Sequence, residues 1–235
     1  MSELDFSSFK CLTFDCYGTL INWEPGILAA LRPILQAHGR NLSDAGILEL
    51  YAAIESELEN GPYLPYRQIL EGIVVRMGAR LVFTPTTDQI RSLPESLKNW
   101  LPFPDTVAAL RKLKSRYRLA IISNTDDDLF AYTARHLQVP FDHVITAQQA
   151  RSYKPSHNNF RLAMERIGLP PQRILHVAQS LHHDIVPGRE LGLTTIWVNR
   201  RAGKPGGGAT PAANAQPDMV VPDLATLVAH IESEH

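Results

Sequence analysis

The sequence predicts an α/β fold, a doubly wound parallel sheet with an inserted helical cap subdomain. Three observations lead there. From about residue 102 onward, short β-rich runs alternate with helical spacing, the pattern of a parallel sheet with right-handed crossovers. Before that, a long block of helical spacing follows the first strand and is too long for a simple crossover. The chain has 235 residues, 44% of them apolar and 20% charged. That suits one large soluble domain, or a core carrying a smaller insert.

Each element has its own signal. Residues 10–15 form a short apolar run ending at Asp15, and Gly18 and Thr19 mark a tight turn after it. Ile27, Leu28, Leu31, Ile34 and Leu35 then fall at helical intervals, with Gly39 as the stop. A second helix opens after Ser43, carries Ile47, Leu50, Tyr51, Ile54 and Leu58 on one face, and closes at Asn60-Gly61. A third carries Tyr66, Ile69, Leu70, Ile73, Val74 and Met77 before Gly78.

Pro102-Phe103-Pro104 breaks the chain and alternation takes over. Helices are expected over 106–113, 129–137 and 160–167, briefly after Pro187, and over 224–231. Strands are expected over 118–122, near Val144-Ile145, over 173–177 and over 194–198. The Gly-, Pro- and Ala-rich stretch 203–217 reads as a mobile loop, and Gly206-Gly207-Gly208 within it as a linker or a flap near a cleft. Residues 1–21 and 101–235 are therefore assigned to an α/β core domain, and 22–100 to the cap.

Composition excludes some function classes. Lys and Arg number 23 against 24 Asp and Glu, a formal charge of −1, so no broad field gathers nucleic acid or an anionic membrane. No apolar run approaches the ~18 residues of a membrane span, and residues 1–10 lack a signal-type stretch. Cys11 and Cys16 are too few for a disulfide framework. A cytoplasmic protein acting on a small molecule is expected, with a homodimer plausible.

In such sheets, ligands bind beyond the carboxyl ends of the strands. Those ends carry Asp15-Cys16-Tyr17-Gly18-Thr19-Leu20, then Ser123-Asn124, then Lys154-Pro155 after a short approach, then Gln179-Ser180-Leu181-His182-His183-Asp184. An acid, a hydroxyl, a lysine and a second acid at one sheet edge make a site. A carboxylate there can attack an sp³ carbon, displace a leaving group and form an ester that water then opens.

These four segments, in this order, resemble the four motifs of the haloacid dehalogenase (HAD) superfamily, and the likeness extends to the helical block between the first two. The resemblance implies a Rossmann-like core with a cap, with Asp15 as nucleophile and Lys154 favouring its charged form. It also implies that Asp184 orients or deprotonates water, and that Thr19 and Ser123 hold carboxylate oxygens or substrate. HAD phosphatases carry a second aspartate two residues after the nucleophile and an acidic pair in motif four that binds magnesium. Here those positions hold Tyr17 and Gln179. Both point to the metal-independent branch similar to type II haloacid dehalogenases, with no cofactor. Magnesium belongs only to the alternative of a phosphatase with an atypical acid, and a catalytically idle small-molecule binding protein is the third reading.

The match also departs from the dehalogenase pattern. The family's cap arginine falls near Ala52 or Ala53, and the second cap helix has no arginine; Phe160 and Leu181 replace a tyrosine and an asparagine. Either Arg67 takes a substrate carboxylate, or the substrate is not a simple 2-haloacid. The substrate-binding set is expected to be Tyr17, Trp23, Arg67, Asn124, Phe160, Gln179, Ser180 and His183.

Other clusters carry weaker readings. His182-His183 with His176 lacks metal-ligand spacing, and Ser180, His183 and Asp184 lack the surroundings of a hydrolase triad. Asp126-Asp127-Asp128 reads as a helix start.

Overall fold

The computed structural model describes residues 4–204 and 206–233. β1 (Cys11–Phe14) is followed by α1 (Trp23–Ala37), α2 (Asp44–Glu59), α3 (Tyr66–Arg80) and α4 (Thr87–Ser96). Then come α5 (Thr106–Lys114), β2 (Arg118–Ser123), α6 (Asp127–Leu137), β3 (His143–Thr146), α7 (Ala147–Ala150) and α8 (His157–Ile167). The chain closes with β4 (Ile174–Ala178), α9 (Val186–Glu190), β5 (Thr194–Val198), β6 (Met219–Val221) and α10 (Leu224–Ser233).

Among the described residues the strands form a six-stranded sheet, ordered β3-β2-β1-β4-β5-β6, with every pairing parallel. The chain winds outward from β1 to β3 on one side, then returns to β4 beside β1 and winds outward on the other. The order therefore reverses between β1 and β4, and the crevice at their carboxyl ends is where a ligand fits such a sheet. β1, β4 and nearly all of β2 are fully buried, the continuous apolar run expected of strands covered on both faces.

The helices α1–α4 pack on one another above that edge through Ile27, Leu31, Ile47, Tyr51, Ile69, Ile73 and Leu93, all essentially inaccessible. Gly39 ends α1 with φ +67°, the left-handed geometry the sequence suggested. Gly78 does not end α3, which runs on to Arg80. A Cβ there would stand 2.7 Å from the Phe83 carbonyl oxygen, so this glycine admits the returning chain.

Three elements go beyond the sequence reading, the one-turn helix α7 among them. α4 starts on a capping box between Thr86 and Gln89, but it carries Pro94 and little apolar content, which blurred its period. β6 is a three-residue edge strand just past the 203–217 loop, too short to alternate.

Candidate active site

β1 lies at the middle of the sheet, so its end delivers Asp15 to the reversal point. The turn that follows is tight: Cys16 carbonyl oxygen accepts from Leu20 N at 2.8 Å and Ile21 N at 3.0 Å. Gly18 takes φ +91°, and a Cβ there would stand 3.0 Å from Gln179 Oε1 and 3.1 Å from Trp23 Nε1. Glycine is thus demanded twice, by conformation and by space. The turn aims Thr19 back at the strand: its hydroxyl donates to Asp15 Oδ2 at 2.6 Å and accepts from Gln179 N at 2.8 Å.

Lys154 reaches the same point from the segment after α7, with a side chain only 2% exposed. Its ammonium donates to Asp15 Oδ1 at 2.8 Å, Asp184 Oδ1 at 2.7 Å and the Ile122 carbonyl at 2.9 Å. All three of its protons are spent. Asp184 sits in a π-type turn, Leu181–Ile185, in which Ser180 Oγ accepts from His183 N at 2.9 Å. His176 Nε2 lies 3.1 Å from Asp184 Oδ1, and His176 Nδ1 lies 2.9 Å from the Thr13 hydroxyl. The tautomer with Nε2–H donates to Asp184 and accepts from Thr13. Asp184 Oδ2 is buried and has no hydrogen-bond partner.

These contacts set the charges. Burial pushes the Asp15 carboxyl above the ordinary range; Lys154 pulls it down and Asp184 pushes it up again. The expected help from Lys154 is present, but desolvation outweighs it. Burial acts on Asp184 as well, yet Lys154 and His176 hold its pKa below the usual value. Burial alone would depress Lys154, and the two carboxylates more than reverse that. His183 is pushed down to about 3 by burial, so its imidazole is neutral at physiological pH.

A cavity of about 30 Å³ opens over this cluster. Asp15, Ser123, Lys154 and Asp184 line its core side. Trp23, Glu55, Glu59 and Tyr66 line it from the helices above, and Thr210 from the late loop. Ser123 Oγ is buried there without a hydrogen-bond partner.

The donor set does not suit a magnesium ion bridging Asp15 and Asp184, because the Lys154 ammonium already bridges them. Gln179, at the position of the second acid, turns its Oε1 to the Thr210 hydroxyl at 3.2 Å. Among the described residues, no three His, Cys, Asp or Glu side chains converge as a metal site.

A haloacid dehalogenase-like hydrolase family model matches residues 9–192. The chain belongs to that family. The hydrolase is 27% identical over 221 residues to an (S)-2-haloacid dehalogenase of Pseudomonas putida, covering 92% of this chain and 95% of that one. It is 24% identical over 222 residues to a haloacetate dehalogenase of Moraxella sp. (strain B), covering 93% and 96%. Its fold matches an L-2-haloacid dehalogenase from Xanthobacter autotrophicus with TM-score 0.80 at 20% identity, over 97% of this chain and 100% of that one.

Within the hydrolase, the expected residues divide. Asp15, Tyr17, Trp23, Ser123, Asn124, Lys154, Ser180, His183 and Asp184 line the cavity, with Thr19 bonded to Asp15 from beside it. Three do not. Arg67, at the start of α3, is half exposed and pairs with Asp128 at 2.7 Å. Phe160 is buried in the core, edge-on to the His176 ring. Gln179 faces a neighbouring crevice.

Asp126-Asp127-Asp128 does begin α6, but the three acids serve different partners. Asp126 accepts from Tyr66 N and Arg67 N, both at 2.9 Å, and so caps α3 rather than its own helix. Asp127 Oδ1 accepts from the Thr146 hydroxyl and Gln149 Nε2, both at 2.7 Å.

The sequence does not mark Glu55, Glu59, Tyr66 or Thr210 as site residues, and His176 enters it only in a histidine cluster without metal-ligand spacing. The signal for the acids was present: Glu55 and Glu59 follow Tyr51 at intervals of four, on a face otherwise apolar. Acids at the rim of an apolar stripe look solvated until the facing surface is known.

Proposed function

We propose that this hydrolase opens a carbon–leaving-group bond of a small organic molecule, in the manner of a 2-haloacid dehalogenase, through an ester on Asp15. The observation that carries this reading is the Asp15–Lys154–Asp184 cluster, a buried carboxylate held by one ammonium at the sheet's reversal point. An Asp15 oxygen attacks the substrate carbon from the side opposite the leaving group, which departs with the bonding electron pair. Water then adds to the Asp15 carboxyl carbon, and the alcohol product leaves as the carboxylate re-forms. Asp184 Oδ2 is suited to take the proton of that water, since its other oxygen is committed to Lys154 and His176.

Thr19 and Lys154 hold the two Asp15 oxygens apart and oriented, and Ser123 Oγ is the unclaimed donor for an anionic end of the substrate. Residues 22–100 act as the cap that closes over residues 1–21 and 101–235. Arg67 is spoken for by Asp128, which supports a substrate other than a simple 2-haloacid clamped by arginine. The free, buried Cys11 and Cys16 suit a cytoplasmic setting, and no helix among the described residues is long and apolar enough to cross a membrane.

Single turnover in heavy-oxygen water tests the ester. The label should appear in the Asp15 peptide by mass spectrometry, and an unlabelled Asp15 alongside a labelled product would overturn the mechanism.

A further inference from the structure

The two cap carboxyls that line the cavity, Glu55 and Glu59, have no use in the chemistry just described. Glu59 lies across the cap–core boundary, its oxygens 3.3 and 3.4 Å from Asn124 Nδ2. The Asn124 amide orientation follows from its other end, because Oδ1 accepts from Lys154 N at 2.7 Å. Glu55 Oε1 accepts from the hydroxyls of Tyr51 and Tyr66, both at 2.7 Å. Its Oε2 makes no hydrogen bond among the described residues. Both glutamates line the cavity above Asp15.

Among the described residues, no cation faces them unspent. The cavity is walled by Asp15, Asp184, Glu55 and Glu59 against one ammonium, Lys154, whose protons go to Asp15, Asp184 and Ile122. His183 Nε2 stands 4.0 Å from Glu59 but is neutral. The remaining facing groups, Tyr17, Tyr51, Tyr66 and Asn124, carry no charge. Two further side-chain atoms of the same cavity, Ser123 Oγ and Asp184 Oδ2, are fully buried and unpartnered, which marks a space built to receive a polar ligand. We propose that Glu55 and Glu59 read a protonated amine on the substrate, placed by them beside the carbon that Asp15 attacks. This deepens the ester mechanism and rests on it.

An organic ammonium fits better than a metal ion. Among the described residues no three acidic or imidazole side chains converge as a metal site, whereas an ammonium needs a few acceptors at hydrogen-bond distance, and Glu55 Oε2 and the Glu59 oxygens provide them. Burial pushes Glu55 up to about 7. Burial and then Glu55 raise Glu59 well above the ordinary range. A carboxyl so raised is half-way to needing a counter-ion, and an arriving ammonium lowers it again with release of a proton.

The test compares chloride release from 3-amino-2-chloropropanoate and from 2-chlorobutanoate, its isostere with a methyl in place of the ammonium, at pH 7. The wild-type hydrolase should prefer the ammonium substrate by about tenfold or more in kcat/KM, the worth of one good charge pair. Glu59→Gln and Glu55→Gln should each reduce that preference to about threefold or less. Equal or better turnover of 2-chlorobutanoate by the wild type would overturn the proposal. So would a preference that survives both substitutions, since glutamine keeps an acceptor oxygen and loses the negative charge.

Should neither compound release chloride, these two 2-chloro acids are not substrates, and the cation site is tested apart from turnover. Calorimetry with ethylammonium chloride then decides the cation site. Binding with proton release that is lost in Glu59→Gln upholds it, and no binding to the wild type rejects it.

Discussion

Lys154 Nζ lies 2.8 Å from Asp15 Oδ1, and the same ammonium joins Asp184 at 2.7 Å, so two buried carboxylates share one cation. Neither acid is tolerable at that depth without it. Lys154→Met should therefore cost about 3–5 kcal/mol of stability, measured by denaturant unfolding, as for any broken buried ion pair. It should also reduce turnover by at least about a hundredfold, because one of the two acids must then take up a proton. A variant with full stability and normal turnover would show the ammonium to be dispensable.

The acid limb of activity follows from the same cluster. Asp15 must be ionised to attack, and burial raises its pKa despite Lys154. A group with a raised pKa loses its charge sooner as pH falls, so kcat/KM should decline on the acid side at a higher pH than an ordinary aspartate would give. A pH–rate profile with a non-ionising substrate checks this; a rate flat down to the usual aspartate range would contradict the desolvated site.

In the proposed mechanism His176 acts on the reaction through Asp184. Its Nε2 and Lys154 share Asp184 Oδ1, which leaves Oδ2 as the oxygen that faces the chemistry. His176→Leu removes one of the two contacts that lower the Asp184 pKa. Turnover should fall by about tenfold, with its acid limb moved to higher pH and KM little changed. A purely structural role would leave the shape of the pH profile intact.

The core residues of this site were legible in the sequence because each follows a strand, and strand ends in a parallel sheet converge by topology alone. Asp15, Ser123, Lys154 and Asp184 meet for that reason. The helical half was less legible. Glu55 and Glu59 become buried only because α2 lies over the sheet edge, a fact no periodicity contains. Arg67 carried the right chemistry, but its guanidinium is paired with Asp128 and does not line the cavity. His176 was masked by its position inside β4, where an apolar neighbour on each side makes a histidine look like filler.

The raised glutamate has a stability consequence with a definite sign. Glu55 is pushed by burial from an ordinary value near 4.5 to about 7 in the folded chain. Its protonated form is thus favoured by folding. That contribution is complete below the unfolded pKa and is lost as pH rises through about 7. Glu55→Gln should remove this loss, leaving the variant more stable than wild type at pH 8 by on the order of 3 kcal/mol. At pH 4 the two should nearly coincide. Urea unfolding at the two pH values decides it, and equal stability at pH 8 would mean that the site already supplies a counter-charge.

The cap is tied to the core by a helix cap made in trans. α3 begins after Pro65, which offers no side chain to its first amides, and Asp126 from the β2–α6 loop accepts from Tyr66 N and Arg67 N instead. Tyr153 strengthens the seam by donating its hydroxyl to the Leu64 carbonyl at 2.7 Å. Asp126→Ala orphans two helix-terminal donors and removes a negative charge from a helix N-terminus, a loss of roughly 1–2 kcal/mol. Because that bond crosses from core to cap, the loss should appear first as cap mobility. Hydrogen exchange at the start of α3 should quicken while the sheet stays protected, and KM should rise before global stability falls. Asp126→Asn keeps an acceptor without the charge and should recover most of the protection. If Asp126→Ala instead lowered protection across β1 and β4 to the same degree as in α3, cap and core would open as a single unit, and Asp126 would be an ordinary structural residue rather than the latch between them.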